Sequence, residues 1–194
     1  MRGRGQTAFF ISHPEVVVDP VRPVPAWHLS DRGVQRMRVF AANPDLAAVG
    51  SVWSSGETKA VEAAGILAAH LGLGVSVCER LGENDRSATG FLPPAEFEAM
   101  ADAFFAQPQV SVEGWERAID AQDRIVAAVD AVLNRAPPGD VAIVAHGGVG
   151  TLLLCRLQDL AISRSADQPF QGHYFCFDRA ARRVIHGWRP IAPR

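Results

Sequence analysis

Hydrophobic and polar positions along this chain follow two periods, and each period predicts one kind of element. Short runs of β-branched and aromatic residues, closed by turn signals such as Ser-His-Pro or Gly-Gly, are typical of buried strands. Such runs predict strands at 7–12, 46–54, 75–78, 141–145, 173–177 and 183–188, the last two as a hairpin-like pair.

Longer segments repeat apolar residues every three or four positions, as one face of a helix does. These segments predict helices at 30–42, 57–71, 94–105, 115–133 and 149–160. Strands that alternate with helices long enough to cross over favour a mostly parallel sheet covered on both faces. The chain is therefore predicted to be an α/β protein, a single-domain three-layer αβα sandwich over residues 1–194.

Two long loops follow the first and the third predicted strands. Residues 13–29 contain four prolines, which exclude a helix there, and residues 79–94 are polar with glycines and prolines. In a parallel sheet the ligand crevice lies beyond the carboxyl ends of the strands. The candidate residues that fall just beyond predicted strand ends are His13, the segment 54–59, Glu83 and His146.

The charge balance excludes two classes of partner. The 21 acidic and 19 basic residues give a formal net charge of -2, whereas binding to nucleic acid or to an anionic membrane requires a basic field. Arginine supplies 18 of the basic residues, and Lys59 is the only lysine.

The cysteines and the N-terminus bear on location. Cys78, Cys155 and Cys176 are odd in number and far apart, so they predict neither a disulfide framework nor a structural metal, and they favour a reducing cytoplasm. The apolar run near the N-terminus is too short for a signal peptide, and no stretch approaches the length of a membrane span. We therefore expect a soluble, cytoplasmic protein.

Two histidines carry the candidate chemistry. His13 ends the first predicted strand, and His146 ends the fourth, where a Gly-Gly turn follows. An imidazole at such a position can act as a nucleophile or as an acid and base near neutral pH. The alternative is that both rings stack on the sheet edge and bond to carbonyl groups.

Five segments, in order, are similar to the motifs of one known family. "FFISHPEV" stands where that family has Arg-His-Gly at the tip of its first strand, and "VAIVAHGGVGTLL" closely matches its His-Gly-Gly turn. "HLSDRGVQRMRVFA" resembles its Leu-Thr-x-x-Gly segment, "VWSSGETKAVEAAGILAAHLGL" its Ser-Ser...Arg-Ala...Thr-Ala helix, and "LGEND" its Leu-x-Glu. Over about residues 7–160 the chain therefore resembles the histidine phosphatase superfamily, the phosphoglycerate mutase-like α/β proteins.

The resemblance implies a phosphatase that needs no metal and no cofactor. It implies that His13 is the phosphorylated nucleophile, that His146 contacts the phosphoryl group, and that Glu83 is the proton donor. The implied substrate-binding residues are Ser12, Lys59 and Gly147.

The departures from the family pattern all fall on phosphate contacts. Ser12 and Lys59 stand where the family has its two phosphate-binding arginines, Pro14 stands where it has glycine, and Asp19 stands near a common asparagine. Arginine grips two phosphate oxygens with a planar fork, whereas serine supplies one neutral donor. Since a charge-assisted bond contributes roughly 1.5 to 3 kcal/mol, the loss of one arginine weakens phosphate binding by about tenfold to a few hundredfold.

Other cations have two interpretations each. Lys59 is either a point-charge phosphate clamp at a helix N-terminus or a solvated lysine. Arg22, Arg32 and Arg86 lie in or beside the two long loops, where one could replace the missing arginine or all could be surface residues.

Two functions of different classes follow. The first is a metal-independent phosphatase that acts on a small phosphorylated metabolite with weakened phosphate binding. The second is a catalytically degenerate relative that binds an anionic ligand or a partner protein without turnover. In both cases the expected partner is a small phosphorylated or anionic molecule, and an edge strand near Val75 or the C-terminal strand pair could form a homodimer.

Overall fold

The fold is built on one mixed sheet of six strands. The computed structural model describes residues 6–193, so residues 1–5 and 194 of the predicted domain range 1–194 lie outside the described residues. The strands are β1 (Thr7–Ser12), β2 (Val49–Ser54), β3 (Val75–Val77), β4 (Asp140–Ala145), β5 (His173–Asp178) and β6 (Val184–Pro190). Their order across the sheet is β3-β2-β4-β1-β5-β6, and β5 runs antiparallel to both of its neighbours while β1 to β4 pair in parallel.

Helices cover both faces of the sheet, as predicted. They are α1 (Asp31–Ala41), α2 (Thr58–Leu71), α3 (Pro94–Ala106), α4 (Ala118–Arg135) and α5 (Gly147–Leu157). Successive residues of β1 point to opposite faces: Phe10 packs in a core with α3, α4 and α5, and Phe9 packs in a second core with α1 and α2. This arrangement confirms the predicted α/β sandwich.

Element ends differ from the sequence predictions by a few residues, each for a local reason. β2 begins at Val49 instead of residue 46 because Pro44–Leu46 forms a 3-10 turn, capped by the side chain of Asn43. α4 begins at Ala118 instead of residue 115 because Val112–Gly114 is a separate 3-10 turn.

The start of α5 is the most informative difference. The sequence predicted that Gly147 and Gly148 form a turn and that the helix begins at residue 149, whereas the helix begins at Gly147 with His146 as its N-cap. Glu83 accepts hydrogen bonds from the N–H groups of Gly148 and Val149, so the first helical turn is capped from another segment. His146 is thereby fixed at the mouth of the helix.

The topology places the two candidate histidines side by side at the carboxyl ends of two central strands. β1 and β4 are parallel neighbours, and Ser12 pairs with Ala145 in the register, so His13 and His146 leave the sheet side by side. β3 and β6 form the two outer edges of the sheet. Within residues 6–193, every helix is too short or too polar to cross a membrane.

Candidate active site

His13 is held in one tautomer by the residue that follows it. Its ring Nδ1 lies 2.8 Å from the carbonyl oxygen of Pro14. Because a carbonyl oxygen only accepts, Nδ1 carries the proton and Nε2 keeps its lone pair. The backbone is also fixed, since the N–H of His13 donates to the carbonyl of Ala145 and its own carbonyl accepts from the N–H of Gly172.

His146 faces His13 across the ends of the two strands. The ring centroids lie 5.3 Å apart at an interplanar angle of 69°. The Nε2 atom of His146 lies 2.7 Å from the hydroxyl oxygen of Ser55 and 3.2 Å from the Oε1 atom of Glu57. His146 is fully buried and His13 is 9% exposed.

Burial keeps both imidazoles neutral. Burial, together with the neighbouring His146 and Lys59, lowers the pKa of His13 from 6.5 to about 3. Burial also lowers the pKa of His146, although Glu57 and Glu83 oppose that shift. A neutral His13 with an unprotonated Nε2 is the form that a nucleophile requires.

Lys59 lies in the candidate site, where the resemblance places it, but its positive charge is already paired with a carboxylate. Its side chain is 4% exposed, and its Nζ atom donates to the carbonyl of Val24 at 2.8 Å and to the Oε2 atom of Glu57 at 2.5 Å. The lysine therefore is not a solvated surface residue. As found here, it forms a buried ion pair with Glu57.

Glu57 was not singled out from the sequence, although it lies two residues before Lys59. Its Oε1 atom accepts from the N–H of Glu83 at 2.9 Å and lies beside His146. Burial opposes ionisation, yet His146 and Lys59 lower the pKa of Glu57 to about 2. The site thus holds a carboxylate that lies within the quoted segment "VWSSGETKAVEAAGILAAHLGL" but at none of the positions that the family motif names.

Glu83 lies at the edge of the candidate site, where its ionised carboxylate caps the first turn of α5. Its Oε2 atom accepts from Gly148 N–H at 3.0 Å, and its Oε1 atom accepts from Val149 N–H at 2.9 Å. Arg86 lies 3.2 Å away. Burial would raise the pKa of Glu83, but Arg86, His146 and the Gly148 N–H outweigh it and lower this pKa. In this position Glu83 can accept a proton more readily than it can donate one.

Gln168, which the sequence analysis did not identify, contacts Ser12 and lies against Gly147. The fully buried Ser12 hydroxyl donates to Gln168 Oε1 at 2.5 Å and accepts from the N–H of His173 at 3.1 Å. The Nε2 atom of Gln168 lies 2.1 Å from where a side chain on Gly147 would begin. Gln168 therefore packs across the ends of β1 and α5, beside the position that would otherwise hold the family arginine.

The three arginines considered as replacements are placed differently from one another. Arg22 pairs with Asp19 in its own exposed loop, and Arg32 is an exposed residue of α1. Arg86 contacts Glu83 and lies over the rings of Phe97 and Trp115. Of these three, only Arg86 contacts a candidate site residue, and it does so through a carboxylate.

Loops 13–29 and 79–94 contact each other beside the candidate site. The rings of Trp27 and Phe91, one from each loop, lie 5.7 Å apart, and the carbonyl of Val24 accepts from Lys59. Trp27 is itself fixed by hydrogen bonds from its indole N–H to the carbonyls of Asp19 and Arg22. Loop 13–29 is therefore tied both to loop 79–94 and to Lys59 of the candidate site.

Comparison with known proteins places the chain in a family. Residues 23–176 match the model of the histidine phosphatase superfamily, branch 1. The match includes His146, Glu83 and Lys59 and begins after His13. No curated protein matches the sequence.

Solved structures share the fold at low sequence identity. A mycobacterial glucosyl-3-phosphoglycerate phosphatase superposes with a TM-score of 0.77 at 19% identity, over 95% of this chain and 99% of that one. YhfR of Bacillus stearothermophilus gives 0.78 at 21% identity, over 93% and 94%. A putative alpha-ribazole-5'-P phosphatase of Escherichia coli gives 0.68 at 16% identity, over 98% of each chain. The match of the family model over most of the chain confirms the resemblance, and this protein belongs to the histidine phosphatase superfamily.

Proposed function

We propose that this protein is a phosphatase that hydrolyses a small phosphorylated metabolite through a phosphohistidine at His13. The observation that carries the proposal is the hydrogen bond from His13 Nδ1 to the Pro14 carbonyl, which leaves Nε2 unprotonated. His146, with its ring centroid 5.3 Å away, supports the same assignment.

The chemistry proceeds in two displacements. The lone pair of His13 Nε2 attacks phosphorus, the bond from phosphorus to the ester oxygen breaks, and the leaving oxygen takes a proton from solvent. His146 and Lys59 stabilise the equatorial oxygens. Water then attacks the phosphohistidine, the phosphorus–nitrogen bond breaks, and inorganic phosphate leaves. An ionised Glu83 suits the second displacement, in which it accepts a proton from the attacking water.

Phosphate affinity in this site is expected to be weak. Ser12 replaces a cationic clamp with a neutral hydroxyl that is engaged with Gln168, and Lys59 is paired with Glu57. Each missing charge-assisted bond corresponds to about 1.5 to 3 kcal/mol. The substrate class is supported by structural relatives, one a phosphatase of glucosyl-3-phosphoglycerate whose structures include complexes with inorganic phosphate and with vanadate.

A second function is favoured by the ion pair between Glu57 and Lys59. This pair engages a cation that the proposed catalysis uses, and His13 is only 9% exposed. In this alternative the protein binds an anion or a partner without turnover. The two functions differ in whether the phosphoryl group is ever transferred to His13.

The test is hydrolysis of p-nitrophenyl phosphate and of a panel of phosphorylated metabolites in the presence of a metal chelator. We expect slow turnover by the wild type, and its loss in His13→Ala. The matched control is His70→Ala, because His70 is an exposed residue of α2. Turnover that survives in His13→Ala contradicts the phosphohistidine mechanism, and an inactive wild type favours the binding function.

Location, domain organisation and assembly complete the proposal. Cys78, Cys155 and Cys176 are free thiols, which is compatible with a reducing cytoplasm. We propose that the chain acts there as one domain, and that any homodimer uses an outer strand, β3 or β6.

A further inference from the structure

Glu57 holds an unusual position for the first residue of a helix. It is the N-cap of α2, where a side chain commonly accepts a hydrogen bond from an N–H group of the first turn. The Glu57 carboxylate makes no such bond. The carboxylate instead contacts groups that belong to the candidate active site.

Three nitrogen atoms converge on this carboxylate. The Lys59 ammonium lies 2.5 Å from Oε2, while the backbone nitrogen of Glu83 and the Nε2 atom of His146 lie 2.9 Å and 3.2 Å from Oε1. Because an ionised carboxylate only accepts, all three contacts are made by donors when His146 carries its proton on Nε2. Ammonium, imidazole and backbone N–H groups are also the donors that bind phosphate oxygens.

We propose that Glu57 is an internal anion that occupies the phosphate subsite, and that it must leave Lys59 and His146 before a phosphoryl group can bind. This inference rests on the proposed function, because that function places the phosphoryl oxygens against the same two side chains. Glu57 is therefore an autoinhibitory residue of the site, and its displacement sets the affinity for substrate.

The charges around the subsite support this assignment. Glu57 and Glu83 are each paired with one cation, Lys59 and Arg86 respectively, and both histidines are neutral. The charges of these four side chains therefore sum to zero before an anion arrives. A doubly charged phosphate that enters meets a buried carboxylate with no surplus cation, and replacement of Glu57 by a neutral residue leaves one surplus positive charge.

Binding of inorganic phosphate, measured by titration calorimetry, tests the proposal without requiring turnover. We expect Glu57→Gln to bind phosphate roughly tenfold or more tightly than the wild type, because one negative charge is removed from contact with Lys59. The matched control is Glu79→Gln. The Glu79 carboxylate lies against Gly56, one residue before Glu57, and Glu79 is exposed, so its removal changes the same local net charge without freeing Lys59.

The double variant Glu57→Gln with Lys59→Gln separates release of the lysine from a general change in charge. We expect the double variant to lose the gain in affinity. If Glu57→Gln binds phosphate no more tightly than Glu79→Gln does, or if the gain survives without Lys59, the proposal is wrong.

A second variant tests directly whether a carboxylate and a phosphate compete for one place. In Glu57→Ala we expect added acetate to weaken phosphate binding in a competitive manner, and we expect acetate to have no such effect on the wild type. Absence of competition in a variant shown to be folded by circular dichroism overturns the assignment.

These results are independent of catalysis. If the affinity gain occurs but neither protein forms phosphohistidine, Glu57 occupies an anion site and the hydrolytic function fails. If the wild type is hydrolytic but Glu57→Gln gains no affinity, the hydrolytic function stands and the internal anion is wrong.

Discussion

The imidazole rings of His13 and His146 lie edge to face across the carboxyl ends of two neighbouring parallel strands, with centroids 5.3 Å apart. The two residues are 133 positions apart in the chain, and they meet because β4 is inserted beside β1 after three crossover connections. Two neutral histidines, one of them the proposed nucleophile, are thereby fixed by the sheet itself. The changed residues of the site lie around this pair and not in it.

Restoring the family arginine requires room as well as charge. Ser12 is fully buried against Gln168, so Ser12→Arg alone overpacks the site, at a cost of about 1 to 3 kcal/mol, and gains no phosphate affinity. We expect Ser12→Arg combined with Gln168→Ala to bind inorganic phosphate about tenfold to a few hundredfold more tightly than Gln168→Ala alone. Calorimetric titration of the three variants checks this, and equal affinities in the double variant and Gln168→Ala would contradict it.

Acid should destabilise the folded protein in a defined window because His13 is buried in its neutral form. Its pKa is lowered from 6.5 to about 3, so below pH 6.5 the unfolded chain binds a proton that the folded chain does not. Stability is therefore complete above pH 6.5 and falls as the pH decreases toward 3, by up to about 1.4 kcal/mol per pH unit for this group. His146 shifts in the same direction. The lowered pKa of Glu57 affects stability only below about pH 4.5, the ordinary pKa of a glutamate.

The measurement is urea unfolding at about pH 7.5 and about pH 5. We expect His13→Gln to show a smaller loss of stability between the two conditions than the wild type shows. His70→Gln, which alters an exposed histidine, should keep the wild-type difference. An unchanged pH dependence in His13→Gln would mean that His13 is protonated in the folded state.

Arg36 should be a major determinant of stability although it lies outside the chemistry. Its guanidinium, 4% exposed, donates to the Glu15 carboxylate and to the carbonyls of Gln171, Gly172 and Ala192. Arg36→Leu leaves a partly buried carboxylate and three carbonyl groups without their donor, so we expect a loss of about 3 to 5 kcal/mol in the free energy of unfolding.

The control for this prediction is Arg38→Leu, which alters an exposed residue of the same helix and should change stability by about 0.5 kcal/mol or less. Because the Gly172 N–H donates to the carbonyl of His13, Arg36 also supports the backbone of the proposed nucleophile. Equal stability of the two variants in urea unfolding would show that the buried arginine contributes nothing specific.

Glu83→Gln should slow the second displacement more than the first. The substitution removes a carboxylate that is placed to accept a proton, and general bases contribute about 10²- to 10⁴-fold to rates. It also weakens the cap of α5, at a cost of about 1 to 2 kcal/mol. We expect phosphohistidine to accumulate in rapid-quench experiments with Glu83→Gln. The exposed neighbour Asp85→Asn should behave as the wild type, and a variant Glu83→Gln with unchanged phosphohistidine decay would remove this role.

Most of the fold could be predicted from the sequence because it depends on local periodicity. The strand 7–12 and the helix capped by Ser30 were placed correctly, since an apolar run with a Ser-His-Pro stop and an N-cap serine act over a few residues. Element starts were missed where a distant segment decides them, as Glu83 does for the start of α5 at Gly147.

The position of the candidate site could be predicted from the sequence, but not all of the residues that form it. Strand ends indicate where His13, Lys59, Glu83 and His146 gather, but no spacing rule gives the direction of a side chain. Glu57 was therefore missed although it precedes Lys59 by two residues, and Gln168 was missed because its loop has neither motif nor periodicity. The side-chain ion pair between Glu57 and Lys59 is what changes the interpretation of the pocket most.

The most direct test of the central claim is detection of phosphohistidine on the wild-type chain after a rapid quench with a phosphorylated substrate. Acid-labile, base-stable phosphate that mass spectrometry assigns to the peptide containing His13, and that is absent from His13→Asn, is the predicted result. A wild type that hydrolyses its substrate while no phosphoryl group is trapped on His13, or one that carries it on His146 instead, would contradict the account.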